Sequence, residues 1–320
     1  MVLGVSRSGT TLLKEMLDRH SELAIPTESY FIPQLWDRHR GRGSDGLVED
    51  LGKIARVREW GVTPEDVRRR VGTDASFAEV IRAVYESYAE SHGKKRFGDK
   101  TPAYMQHLEL LERVFPGAQY VHIVRDGRDA ALSFVSMRRR PRFNWARPRG
   151  LYDFAAAWRY EIEVARDFAA ATVPGRYFEL RYEDLVAEPE PRLHEICGFL
   201  GLDFEPAILD YHRTVDPSRL QDHPRLAEPP KQKVRRWQEE MRPADNEVFE
   251  AIAGELLAAL GYERAFPTPS ATARTRAATV EAAYSVRLLS WRASVALARR
   301  SPAWRIRQAY IRRTADAPPV

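Results

Sequence analysis

The chain has 320 residues, 44% hydrophobic and 30% charged. That suffices for one large domain or two small ones with a real core, and it excludes collagen, coiled coil and global disorder; at a mean hydropathy of −0.48, no run approaches the roughly 18 consecutive apolar residues of a membrane span. The net charge of +5 is unevenly placed: residues 267–320 hold ten arginines, no lysine and two acids, a net +8, leaving 1–266 at −3, so the basic excess describes the contacts of a tail and not of the body.

In chain order, the run Val2, Leu3, Gly4, Val5 reads as a short strand and 6–9 as a loop. Residues 10–20 read as a helix with Leu12, Leu13, Met16 and Leu17 on one stripe, and 23–25 as a second strand closed by Pro26. This order predicts a parallel pair joined by a short helix. Residues 37–95 are polar and helical in pattern, an insertion beside the sheet. The α/β rhythm then returns, with a helix at 104–114, a strand at 119–124, a helix at 129–138, a basic loop at 138–150, a long amphipathic helix at 152–171 and a strand at 176–181. Helices at 193–200 and 245–260 follow, and Pro267, Pro269 and Ser270 mark a linker. Alternating strands and helices predict an α/β fold with a mostly parallel sheet. The N-terminus has neither the basic region nor the apolar segment of a secretory signal. The single Cys197 permits no internal disulfide and argues against a cysteine-based zinc site, so a cytoplasmic protein is expected.

The strongest local signal is GVSRSGTT at 4–11, in which a strand runs into a turn with two glycines and a helix follows. Backbone N–H groups at such a helix start form an anion site, most naturally for phosphate. The spacing of Gly4 and Gly9 matches the nucleoside triphosphate loop, but Thr10 stands where that loop needs lysine, and Arg7 offers a forked cation instead. The plain alternative is a glycine turn that merely joins strand to helix. Three later segments weigh against it. FGDKTP at 97–102 carries Lys100 in a turn before a helix. VHIVRDGRDAALS at 121–133 delivers Arg125 at the end of a strand and Ser133 two turns along the next helix, where open α/β sheets bind ligands. FELRYEDL at 178–185 is a strand followed by an aromatic residue and acids.

With SRSGTTLL, TESYFIP, GDKTP, VRDGRDAALS, RYEDLVAEP and KVRRWQEE in this order, residues 1–266 resemble the sulfotransferases that use 3′-phosphoadenosine 5′-phosphosulfate (PAPS). The branch most resembled contains the tyrosylprotein sulfotransferases and many bacterial sulfotransferases. The resemblance implies a three-layer P-loop-type fold and a sulfotransferase domain at 1–266; beyond it, the pattern of 267–320 predicts a basic amphipathic helical extension. The resemblance also implies that Arg7, Ser8, Gly9, Thr10 and Thr11 hold the 5′-phosphosulfate, that Arg125 and Ser133 hold the 3′-phosphate, and that Tyr182 lies near the nucleotide. Glu28 matches the general base, Lys100 the lysine that stabilises the transferring group, and Arg236 a nucleotide-contacting lysine. The product would be 3′,5′-ADP, and family members are often dimers. The proline usual before the loop arginine is Ser6 here.

Sulfuryl transfer demands an in-line acceptor oxygen and stabilisation of charge on the departing phosphate, which is positioning and electrostatics. Loop N–H groups, Arg7 and Lys100 suit the second task and Glu28 the first. A singly charged sulfuryl group requires no metal. Blander readings stand beside these: Glu28 as a surface acid at a strand end, Lys100 as a solvated charge, Arg128 and Asp129 as a surface pair, His122 as a packed strand residue, and Arg138, Arg139, Arg140, Arg142, Arg147 and Arg149 as a solvated basic loop.

Residues 279–313 read as a helix with interleaved arginines and apolar residues from Val280 to Ile311. Three roles compete: a packed or partner-docked appendage, first; a peripheral contact with an anionic membrane; and, last, nucleic acid, for which no reading motif exists. For the whole chain, the rivals to a sulfotransferase are an ATP-using phosphotransferase and a non-catalytic nucleotide-binding or membrane-associated scaffold. The expected acceptor is a hydroxyl on a glycan or glycolipid, then a small-molecule or lipid alcohol, then a tyrosine.

Overall fold

The computed structural model describes residues 1–137, 148–213, 224–228 and 236–300. The chain opens with strand β1 (Val2–Leu3), helix α1 (Thr10–Asp18) and strand β2 (Leu23–Ala24). Five helices follow: α2 (Ile32–His39), α3 (Ser44–Gly52), α4 (Ala55–Glu59), α5 (Pro64–Arg68) and α6 (Phe77–Ser91). Thr63 and Ser76 each start a helix through a capping box, their hydroxyls accepting from the N–H of Asp66 and Glu79, whose carboxylates reach back to the cap N–H. The α/β part resumes with β3 (Arg96–Phe97), a 3-10 turn (Pro102–Gln106), α7 (Leu108–Val114), β4 (Tyr120–Val124), α8 (Gly127–Val135), α9 (Leu151–Thr172) and β5 (Tyr177–Arg181). Then come α10 (Tyr182–Ala187), α11 (Pro189–Leu200), two short 3-10 segments (Pro206–Arg213 and Pro224–Ala227), α12 (Trp237–Glu240), α13 (Pro243–Ala259) and α14 (Ala271–Arg300).

All strand pairs are parallel. β4 lies between β1 and β5, and β2 pairs with β3. The expected pairing of the first two strands is therefore corrected. The backbone just after β3 stands between them, with the Val2 N–H donating to the Asp99 carbonyl at 2.8 Å. Strand neighbours are chosen by non-local pairing, so the chain order of two strands does not settle their adjacency.

β4 is buried along its whole length, as a strand covered on both faces must be. Val121 and Ile123 face α1 and α11 with Leu13, Met16, Leu193 and Ile196. On the opposite face, Tyr120 stacks edge-on against Phe168 of α9. The result is a three-layer α/β sheet with a helical insertion on its β2–β3 side. Burying these Leu, Ile and Val side chains supplies roughly 1.5–3 kcal/mol each.

α14 begins at Ala271, earlier than the sequence pattern suggested. It lays Ala273, Ala277, Tyr284 and Leu288 against α9 and α13, and Arg287 pairs with Asp153 at 2.8 Å. Among the described residues no helix is long and apolar enough to cross a membrane. Arg138, Arg139, Arg140, Arg142 and Arg147, and residues 301–313 of the expected terminal helix, lie outside the described residues.

Candidate active site

The loop between β1 and α1 is shaped by what it cannot accommodate. A Cβ on Gly4 would stand 2.6 Å from the Thr10 methyl and 2.7 Å from the Ile123 carbonyl oxygen. Gly9 takes the left-handed conformation at φ 92°, and a Cβ there would overlap the Tyr182 ring. The ring thus closes against the start of α1. No side chain caps that start, and the first-turn N–H groups of a helix have no partner within it. Ser8 is fully buried and its Oγ meets no hydrogen-bond partner among the described residues. An orphaned hydroxyl beside a helix N-terminus fits an oxyanion. Lys14 does not replace the missing triphosphate lysine: it is 2% exposed and bonded to Asp18 at 2.7 Å.

Two contacts assemble the rest. Arg7, itself at φ 75°, donates from Nε to Ser133 Oγ at 3.0 Å. Arg125 donates to the Arg7 carbonyl at 3.3 Å, lies 4.7 Å over the Tyr182 ring and faces Asp129 at 3.8 Å. The cationic loop and the strand-end arginine are therefore one cluster, under one aromatic ring. On the other side, Lys100 is 3% exposed; its Nζ donates to Thr11 Oγ1 at 3.3 Å and also to the Glu28 carboxylate. Burial pushes Glu28 up, but the Lys100 ammonium and its hydrogen bond, with smaller help from a backbone N–H and Arg56, together hold Glu28 below the usual carboxylate range. Burial pulls the Lys100 ammonium down, with Glu28 only partly opposing. The pair is an ionised carboxylate and a desolvated cation in contact with the loop.

Arg236 makes no such contact with these groups. It is bonded to Glu240 at 2.7 Å, and only its neighbour reaches the cluster, the Trp237 N–H donating to Asp129 Oδ1 at 2.9 Å.

Sequence reasoning missed two supports. Asp99 is buried and accepts from Ser29 Oγ at 2.8 Å and Tyr85 OH at 2.7 Å, and burial raises its carboxyl. Ser29 also donates its N–H to the Thr101 hydroxyl oxygen at 3.0 Å, so the neighbours of Glu28 and Lys100 are tied together. The signal was Asp99 within GDKTP, one residue from the lysine. The other support is Arg128, expected at the surface with Asp129. It is 1% exposed and shared between Asp126 at 2.8 Å and Glu250 at 2.7 Å, with its guanidinium 3.5 Å from the Trp237 ring. Asp129 is equally buried. Glu250, the partner of Arg128, lies far along the chain, beyond the reach of local pattern. His122 is packed as expected, bonded to Tyr177 on β5.

The sequence model of the sulfotransferase family matches residues 1–206. The chain is 27% identical over 212 residues to protein-tyrosine sulfotransferase 2 of Gallus gallus, covering 66% of this chain and 53% of that one. It is 27% identical over 291 residues to nodulation protein NoeE of Sinorhizobium fredii (strain NBRC 101917 / NGR234), covering 82% of this chain and 65% of that one. Among solved structures, the sulfotransferase domain from the Synechococcus PCC 7002 olefin synthase shares the fold at a TM-score of 0.58 and 24% identity, over 82% of this chain and 94% of that one. The chain spans about half the length of the protein-tyrosine sulfotransferases it matches.

Proposed function

The chain belongs to the sulfotransferase family, and we propose that it moves the sulfuryl group of PAPS to an acceptor hydroxyl by in-line transfer, with Glu28 as general base. The observation that carries this reading is the contact chain from Thr11 through Lys100 to Glu28. It sets a phosphate loop, a cation and an ionised carboxylate side by side, which is what the reaction needs.

PAPS supplies the activated sulfuryl group. The N–H groups from Gly9 to Thr11, the Ser8 hydroxyl and Arg7 hold its 5′ end. Arg125 and Ser133 hold the 3′-phosphate, whose site is drawn to the 5′ end by the Arg7–Ser133 bond. Tyr182 packs over the loop beside the nucleotide, and Arg236 lies further out. As the acceptor oxygen bonds to sulfur and the bond from sulfur to the phosphate oxygen breaks, Glu28 takes the acceptor proton. Lys100 and Arg7 balance the negative charge that gathers on the departing oxygens. The residues favour this donor over a Mg-triphosphate, since Thr10 leaves the loop without its lysine and Lys14 is committed to Asp18.

The domain is proposed to comprise 1–266, with 267–320 as an appendage. The acceptor is proposed to be an alcohol of a carbohydrate, glycolipid or small molecule, and the tyrosine hydroxyl is the variant that the Gallus gallus relative suggests. A positioned base contributes roughly 10²–10⁴-fold, so Glu28→Gln is expected to lose about that much turnover with labelled PAPS and to keep its binding of 3′,5′-ADP. Full turnover in that variant removes Glu28 from the mechanism.

A further inference from the structure

α14 has two apolar faces. One is packed: Ala273, Ala277, Tyr284 and Leu288 are buried against α9 and α13. The other carries Ala278, Ala282, Val286, Leu289 and Ala293, spaced by three or four residues so that they share one stripe. All five are exposed, Val286 at 63% and Leu289 at 64%. An α-helix turns by about 100° per residue, which places the five within an arc of about 80° directly opposite the packed face. Thr275 shares that arc, and no charged residue from 271 to 294 falls inside it. A helix surface that faces water ordinarily carries the charges and leaves the apolar residues to the packed side. The outer stripe of α14 breaks that rule over its whole described length.

The charges beside the stripe say what covers it. Arg274 and Arg292 border it and are exposed. Arg274 donates to the Pro269 carbonyl at 2.9 Å and Arg292 to the Tyr160 hydroxyl, and neither is paired with a carboxylate among the described residues. The one acid of the helix, Glu281, is paired with Arg159. From Glu281 to Asp316 the sequence then holds eight arginines and no acid, with Trp291, Trp304 and Tyr310 among them. A second copy of the helix on this stripe would bring bordering arginines beside bordering arginines, and like charges oppose that contact. An anionic lipid surface suits both features, since apolar side chains enter the headgroup boundary while arginines meet the phosphates.

We infer that the outer face of α14 docks on an anionic membrane surface, with Val286 and Leu289 entering the headgroup region and Arg274 and Arg292 beside them. The helix lies along the surface and does not cross it. A packed appendage and a membrane contact are compatible here, because they use opposite faces of one helix: the inner face holds the domain and the outer face holds the lipid. This goes beyond the transfer reaction and does not depend on it.

The test is co-sedimentation of the full chain with vesicles of phosphatidylcholine alone, or of phosphatidylcholine and phosphatidylserine in equal parts, at low and high salt. The expected result is binding to the mixed vesicles about tenfold tighter than to the neutral ones, with most of the difference removed by high salt. Val286→Asp combined with Leu289→Asp is expected to weaken that binding about tenfold or more at an unchanged melting temperature. A second variant reads the contact directly. Leu289→Cys carries an environment-sensitive fluorophore at an exposed position, while Cys197 is buried, and its emission shifts to the blue with the mixed vesicles only. No binding to the mixed vesicles, equal binding to both kinds, unchanged binding in the doubly substituted chain or an unshifted label overturns the inference. So does a wild-type dimer, seen by sedimentation velocity, that the double substitution dissociates, because it assigns the stripe to a second copy. The reaction is tested separately, by the binding of 3′,5′-ADP.

Discussion

On the side of the site that would hold the nucleotide, Arg128 is buried between Asp126 and Glu250, and Glu250 also accepts the N–H groups of Ala265 at 3.0 Å and Phe266 at 2.8 Å. On the side that would hold the acceptor, apolar packing surrounds the buried Asp99: Trp60 packs against Phe31, Tyr85 and Tyr88, and its indole N–H donates to Thr27 Oγ1 at 2.8 Å, next to Glu28. The first region is fixed by desolvated charges that must all be present at once. The second is fixed mainly by shape, with a hydroxyl network on the one buried carboxyl of Asp99. A nucleotide with phosphates at both its 3′ and 5′ ends needs cations that do not move, and buried ion pairs hold them. An acceptor pocket built on apolar packing tolerates change in its lining more readily.

This difference predicts unequal costs. Glu250→Ala leaves Arg128 short of a carboxylate and two N–H groups without an acceptor. Breaking a buried pair from one side costs about 3–5 kcal/mol, to be read as a lower urea midpoint. Trp60→Phe keeps a ring in place and removes one neutral hydrogen bond, for about 1 kcal/mol. If the two variants were equally destabilised, the contrast between charged and neutral support would fail.

A smaller effect sharpens the same contrast through pH. On α9, burial pushes the Glu161 carboxyl up to about 7, against the opposing hydrogen bond from Gln106 at 3.3 Å. A carboxyl raised in the folded state binds more protons there than in the unfolded chain. Its contribution is fully present below the ordinary carboxylate range and is lost as pH rises towards 7. Glu161→Gln is therefore expected to flatten the fall in melting temperature between about pH 4.5 and 7 and to leave the variant more stable than wild type at pH 8. A variant that melts lower at pH 8 contradicts the burial account.

The phosphate loop, the strand-end arginine and the lysine turn were legible because each is a local pattern: Gly4 and Gly9 bracket a turn, Arg125 ends an apolar run, and Lys100 precedes Pro102. The order of strands was not, because β3 enters beside β1 only through pairing across most of the insertion. Arg128 was misplaced for the same reason: nothing within DGRDA distinguishes a solvated arginine from one neutralised by α13.

Two phosphates of one nucleotide are proposed to sit on Arg7 with its loop and on Arg125 with Ser133. Thermal unfolding with 3′,5′-ADP, 5′-ADP and ATP at equal concentrations tests this placement most directly. If both phosphates are held in this way, 3′,5′-ADP gives a large shift, corresponding to about 2.7 kcal/mol at a hundred times its Kd, and the other two give much smaller shifts. No shift with 3′,5′-ADP, or a magnesium-dependent shift with ATP, would contradict it.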